Sequence, residues 1–133
     1  MPKPRSAQIA LEQTPLYHLV SRCVRRAFLC GATETYNFEH RREWILERLK
    51  LLTQMFAIDI AAFALMSNHY HLVVRVDAAK AASWSQQDII DRWQRLFRLP
   101  VLVERYLSCN SSGEAENQVT ETLIENWRAR LCD

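Results

Sequence analysis

The chain has 133 residues, 49% hydrophobic and 24% charged, enough for one ordinary core and unlike a disordered or low-complexity protein. Its 17 basic and 15 acidic residues leave only +2, but 9 of the basic and 5 of the acidic side chains fall in residues 1–50, so positive charge gathers toward the N-terminal end. Only two glycines occur, Gly31 and Gly113, which excludes a Gly-rich phosphate loop or a dinucleotide fingerprint.

Fourteen of the 17 cations are arginine, the side chain suited to planar, bidentate phosphate contacts. Cys23, Cys30, Cys109 and Cys132 form no C-x-x-C pair. The opening MPKPRSAQIALEQ has no apolar segment of the kind a secretory signal needs. The longest apolar run, residues 60–66, is far short of the roughly 20 residues that span a bilayer. These features lead us to expect a reduced, cytoplasmic protein with free thiols and no membrane partner.

Residues 1–14 read as a loose, Pro-containing segment. YHLVSRCV (17–24) is rich in β-formers and predicts a strand, followed by a basic connection with Arg25 and Arg26. Ile45, Leu49, Leu52 and Phe56 recur at helical spacing within 39–56, with polar residues on the other side. Two strand-like segments, 57–65 and 69–77, are joined by Met66-Ser67-Asn68 and predict an antiparallel hairpin. Ser85 with Asp88 three residues on predicts a capping box. The helix it opens would bury Ile89, Trp93, Leu96 and Phe97 and close at Pro100. A short helical piece over 101–107, a polar linker over 108–117 and a last helix over 120–131 complete the reading. The expected fold is α+β: a ferredoxin-like antiparallel sheet with helices on one face, lacking the last strand, plus extra C-terminal helices. The expected segments are 1–14, a principal domain at 15–107, and 108–133 as linker and helix.

Alternation along the third strand divides its side chains. Tyr70, Leu72, Val74 and Val76 should face the helices, leaving His69, His71, Val73 and Arg75 on the open face. The same test on the first strand puts His18, Val20, Arg22 and Val24 on its open face and Tyr17, Leu19 and Cys23 on the other. Two imidazoles at i and i+2 are about 7 Å apart along a strand and can lean onto one divalent ion. An H-x-H pair on a strand is equally compatible with exposed, incidental histidines, and two ligands do not complete a site. Arg92, Arg95 and Arg98 read as a solvated helix face, and Trp44, Trp93 and Trp127 as core or interface aromatics. Tyr36, in the basic connection, stays open as a stacking residue.

MSNHYHLVVR (66–75), preceded by YHLVSRCVRRAFLC (17–30), resembles the single-tyrosine HUH transposases, in particular the REP-associated tyrosine transposase branch. That family shows Y-H-h-x-x-R near its N-terminus and h-M-x-N-H-h-H-h-h-h in a later strand. Here Tyr17, His18 and Arg22, then Met66, Asn68, His69, Tyr70 and His71, occupy those places, and the match covers residues 15–77. The resemblance implies a divalent metal, Mg²⁺ or Mn²⁺, on His69 and His71. It also implies single-stranded or hairpin DNA as partner, with His18, Arg22, Arg25, Arg26 and Arg75 as the contacting residues. A tyrosine hydroxyl would attack the scissile phosphate and leave a 5′-phosphotyrosine. The family carries that tyrosine on a helix after a further strand, and neither element is recognisable before Asp133. Tyr106 is the one tyrosine on a helix and so the residual candidate nucleophile. The expectation is therefore a chain cut short of the catalytic helix, with a module that binds structured single-stranded DNA without cutting it as the alternative. A third possibility is an interaction domain with incidental histidines. A sheet without its last strand exposes the edge of the first, so a homodimer is also expected.

Overall fold

The computed structural model describes residues 1–24 and 28–133. Arg25 and Arg26 therefore lie outside the described residues. The chain forms two compact units, one of residues 1–53 and 58–77 and the other of residues 54–57 and 78–133.

The first unit is built on three strands, β1 (Leu16–Arg22), β2 (Ile58–Leu65) and β3 (His69–Val76), and one long helix, α1 (His40–Met55), whose last two residues group with the second unit. All pairings are antiparallel and the order is β1-β3-β2, so the third strand in sequence is the central one. This is the α+β, ferredoxin-like half-fold the sequence predicts, with further helices after it. Leu72 and Val74 of β3 and Leu65 at the end of β2 are buried, and they share a face with Phe63 and Tyr70. On β2 the register slips between Ile60 and Ala62, a bulge that falls on an edge strand, where such irregularities concentrate.

Helix α1 turns Leu46, Leu49 and Thr53 toward Ile60 and Phe63 across a groove of about 440 Å³. At its first turn the Arg42 guanidinium donates to the Leu65 carbonyl at 2.7 Å and pairs with Glu39 at 3.2 Å, which raises the arginine pKa further. The Cys30 thiol, fully buried, donates to the Met66 carbonyl at 3.3 Å, and the Gly31 carbonyl accepts from Phe38 N–H. These contacts tie the long β1–α1 connection to the β2–β3 turn. Trp44, expected in the core or at an interface, is 61% exposed, with its ring edge-on to His40. Its position on α1 lies off the stripe formed by Ile45, Leu49 and Leu52, which accounts for the exposure.

The second unit holds α2 (Ala78–Ser83), α3 (Gln86–Gln94), α4 (Val101–Leu107) and α5 (Glu114–Arg130). Its core gathers Ala57, Ala81, Trp84, Ile89, Ile90, Val103, Ile124, Trp127 and Leu131. Four points differ from the sequence expectation. The AAKAAS segment adds the unforeseen α2. Helix α3 stops at Gln94, so its buried pair is Ile89 and Ile90, while Phe97 lies past the helix end and is 53% exposed. Arg92 is half-buried, its guanidinium 4.1 Å over the Trp84 ring, while Arg95 and Arg98 are exposed as expected. The last helix starts at Glu114 rather than 120. Its N-cap is Gly113, at a φ of 140° that side chains rarely adopt, and the Glu116 carboxylate accepts the Ser112 N–H at 3.0 Å. That end signal sits inside a polar stretch with no apolar periodicity, which is why it reads as linker. Trp93 stacks on Trp127 at 4.8 Å, and Arg128 donates to the Ala81 and Trp84 carbonyls. Arg128 thereby satisfies the orphan carbonyls at the end of α2.

The Ser85–Asp88 capping box forms as predicted, with both reciprocal hydrogen bonds present. The Ser85 N–H and hydroxyl hold the Asp88 carboxyl below the usual range, and the Ser112 N–H does the same for Glu116. Folded values below the unfolded ones mean that both carboxylates stabilise the fold fully above about pH 4.3 and lose that effect as pH falls through the folded values. Thermal unfolding followed by circular dichroism should show Ser85→Ala costing about 1 kcal/mol at neutral pH. The double variant Asp88→Asn, Glu116→Gln should flatten the stability loss between about pH 5 and pH 2, and an unchanged acid limb would contradict these caps.

Candidate functional site

The β1–β3 register decides which side chains meet on the open face. His18 lies opposite Val73, Val20 opposite His71, and Arg22 opposite His69. Directly opposed residues of an antiparallel pair share a face, so His18, Val20, Arg22, His69, His71 and Val73 form one surface, away from buried Leu72 and Val74. The structure thus brings together the two predicted metal residues and two of the predicted DNA contacts. His69 and His71 are half-buried, whereas His18 and Arg22 are exposed.

The imidazoles are in register with one another as well as with the sheet. His18 Nε2 lies 2.9 Å from His71 Nδ1, the diagonal contact that antiparallel neighbours two residues apart allow. Their ring centroids are 5.1 Å apart and the planes differ by 24°. That separation equals the nitrogen–nitrogen distance plus about 1.1 Å of ring radius on each side, so the bond runs in line with both rings as a straight N–H···N hydrogen bond. Two nitrogens this close on a shared ion, at about 2.1 Å from each, would bring the centroids to roughly 4.4 Å instead. The His18–His71 contact is a hydrogen bond, not a chelate. At the other end, His69 Nδ1 lies 2.7 Å from Asn68 Oδ1.

The His69 and His71 rings stand 5.1 Å apart with planes 76° from one another. A metal–nitrogen distance of about 2.1 Å puts each centroid roughly 3.2 Å from an ion, and ligand angles from 90° to tetrahedral then place two rings about 4.5 to 5.2 Å apart. The pair fits that interval. Among the described residues no set of three or more His, Cys, Asp or Glu side chains is arranged around a common metal position.

Arg75 shares the face but not the cluster. It lies four residues beyond His71, about 13 Å along the strand. Its guanidinium stands 3.6 Å from Asp59 and 3.7 Å from Asp77, which offset its charge. Arg22 makes no ion pair among the described residues and is the open cation beside the histidines.

Two of the four tyrosine hydroxyls are hydrogen-bonded away from this face, and the other two tyrosines stand elsewhere in the fold. Tyr17 donates to the Thr14 carbonyl at 2.8 Å and accepts from Ala10 N–H. Tyr70 stands on the opposite face of β3, beside Leu65. Tyr36 stacks on Phe38 in the loop before α1. Tyr106 belongs to the helical unit, with its hydroxyl 3.2 Å from Gln86 Oε1 and 3.3 Å from Glu121 Oε1. Burial first, then the Glu121 charge and hydrogen bond, push its pKa up, the reverse of an activated nucleophile.

What sequence reasoning missed is the pairing of His18 and Asn68 with the two metal candidates. Both residues stand in the motifs quoted above, but only the strand register reveals which nitrogen each one meets. A cleft lined by Phe28, Arg41, Trp44 and Arg48, with further cations in reach of solvent, was likewise invisible in the linear pattern. No protein-family model matches the chain, and neither a curated protein nor a solved structure matches it.

Glu121→Gln should lower the Tyr106 pKa toward the ordinary value near 10. Carbon-13 NMR of the tyrosine Cζ through an alkaline titration reads this directly, and a value unmoved by the substitution would contradict the assigned cause.

Proposed function

We propose that this chain is a metal-assisted binder of single-stranded or hairpin DNA of the HUH transposase type, with the open face of β1 and β3 as the DNA surface. The observation that supports it best is co-location: His69 and His71 stand at a spacing that suits one ion, directly beside an exposed arginine that makes no ion pair among the described residues. His69 and His71 would hold the divalent ion, and such an ion supplies Lewis-acid polarisation of a phosphate oxygen. Two imidazoles favour Mn²⁺ or a softer ion over Mg²⁺. Arg22, across from His69, is placed to take a neighbouring phosphate as a bidentate pair. Val20, 53% exposed between the histidines and the arginine, offers apolar surface to a sugar or base.

The positions of the tyrosines favour the binding form of this reading over cleavage by this chain alone. Tyr17 and Tyr106 have committed hydroxyls, and Tyr70 faces the other side of the sheet. Assembly follows from the sheet edge. Among the described residues β1 pairs with β3 only, so its outer backbone groups are available to a second copy of the strand. A homodimer through that edge would extend the cationic face across two chains.

Isothermal titration should show weak Mn²⁺ binding that disappears in the His69→Ala, His71→Ala double variant while its thermal unfolding stays unchanged. A fluorescent DNA hairpin should bind with strong salt dependence, and Arg22→Ala should weaken it and reduce the log–log salt slope by about one. On a denaturing gel with Mn²⁺ no covalent protein–DNA adduct should form; an adduct would mean that one of these tyrosines attacks after all. Light scattering should give about twice the 15.6 kDa chain mass, and a monomer at high concentration would remove the edge-pairing proposal.

A further inference from the structure

Both candidate metal ligands have their inner ring nitrogen, Nδ1, already engaged, and the chemistry of the partner atom limits what each ring can be. Asn68 Oδ1 is an amide oxygen and can only accept, so the 2.7 Å contact requires a proton on His69 Nδ1. A neutral imidazole with its proton on Nδ1 has its lone pair on Nε2. The His18–His71 contact at 2.9 Å admits one proton between two nitrogens. When His71 supplies it, His18 Nε2 is the acceptor and the outer nitrogen of His71 carries the lone pair. Both rings then carry their lone pair on Nε2, at the 5.1 Å centroid separation that suits one ion.

We infer that His18 and Asn68 are positioning residues that take the Nδ1 protons of His71 and His69, so that both rings offer an Nε2 lone pair to one divalent ion. The inference rests on the metal reading above and adds two residues to it. Neither would touch the ion. His18 reaches from β1 across to His71, and Asn68 acts from the turn that precedes β3, so one ring is set by strand pairing and the other by the hairpin. Anchored inner nitrogens fix both the tautomer and the ring rotation, the usual role of the groups behind metal-bound histidines. With His18 committed to His71, no third described side chain is placed on such an ion, and water or a phosphate oxygen would complete its shell. That geometry is the one an ion needs when it must bind and release a nucleic-acid strand.

The test uses the metal-free chain, labelled with nitrogen-15, at a pH well above the imidazole range of about 6.5. Long-range proton–nitrogen NMR should show His69 and His71 in the Nδ1–H form, with Nε2 carrying the lone pair. His18→Ala should release the His71 tautomer and leave His69 unchanged, and Asn68→Ala should do the converse. Asn68→Asp, which retains an acceptor, should keep the wild-type tautomer of His69. Either alanine substitution should weaken Mn²⁺ binding by roughly 10- to 100-fold without moving the thermal midpoint of the sheet unit. Finding either ring as Nε2–H in the unmodified chain, or finding both tautomers indifferent to the two alanine substitutions, overturns the inference. Tautomers set as described in a chain that binds no Mn²⁺ would uphold the positioning roles and sink the metal reading instead.

Discussion

The antiparallel pairing of β1 with β3 is the constraint on which the rest of the site depends. Because side chains alternate with a period of two, a register slip of one residue would send His18 and Arg22 to the opposite face and separate them from His69 and His71. The register is held at one end by the Val76 N–H, which donates to the Pro15 carbonyl, and at the other by the Cys23 N–H, which donates to Asn68. Buried Leu72 and Val74 on the reverse side penalise any slip. The same pairing that builds the sheet therefore brings the cluster's strand residues together.

The helical unit depends on a different set of forces. Its core is aliphatic and indole, with Ile89, Ile90, Val103 and Ile124 fully buried and the Trp93–Trp127 stack among them. Short helices cannot stand alone, since forming the first turn orders several residues for a single hydrogen bond. Here the capping box at Ser85, the Glu116 reach-back to Ser112 and the Arg128 contacts to the α2 carbonyls each satisfy polar groups that helix ends leave open. Tyr106 belongs to these helix contacts, its hydroxyl bonded to α3 and α5 side chains.

Strong periodicity made much of the fold legible. The alternation in HYHLVVRV and YHLVSRCV foretold both strands and their open faces, and the 39–56 spacing foretold α1 to within a residue at each end. Ser85 with Asp88 marked a helix start that the structure reproduces. Legibility failed where the signal was not periodic. The start of α5 lies in SSGEAEN, where a glycine cap and a single glutamate carry the information, and Phe97 reads as buried only on a helix that runs on to Pro100, whereas α3 stops at Gln94. Charge partners are harder to read: Asp59 and Asp77 stand beside Arg75, and the Trp84 ring lies against Arg92. Asp77, at i+2, shares the strand face of Arg75 in the linear pattern, whereas Asp59 reaches it only through the β2–β3 pairing. Within the site, residue type and face could be read from the sequence, whereas the nitrogen-to-nitrogen contact of His18 with His71 is a property of strand register alone.

The central claim is that one face of the β1–β3 pair holds a divalent ion. The most direct measurement is paramagnetic broadening of backbone amide signals as Mn²⁺ is added in small amounts to the nitrogen-15-labelled chain. The account predicts that Val20, His69, His71 and Val73 broaden first, with their neighbours on β1 and β3 next. Broadening that centres instead on the carboxylates of Asp59 and Asp77, or that spreads evenly over the chain, would contradict it.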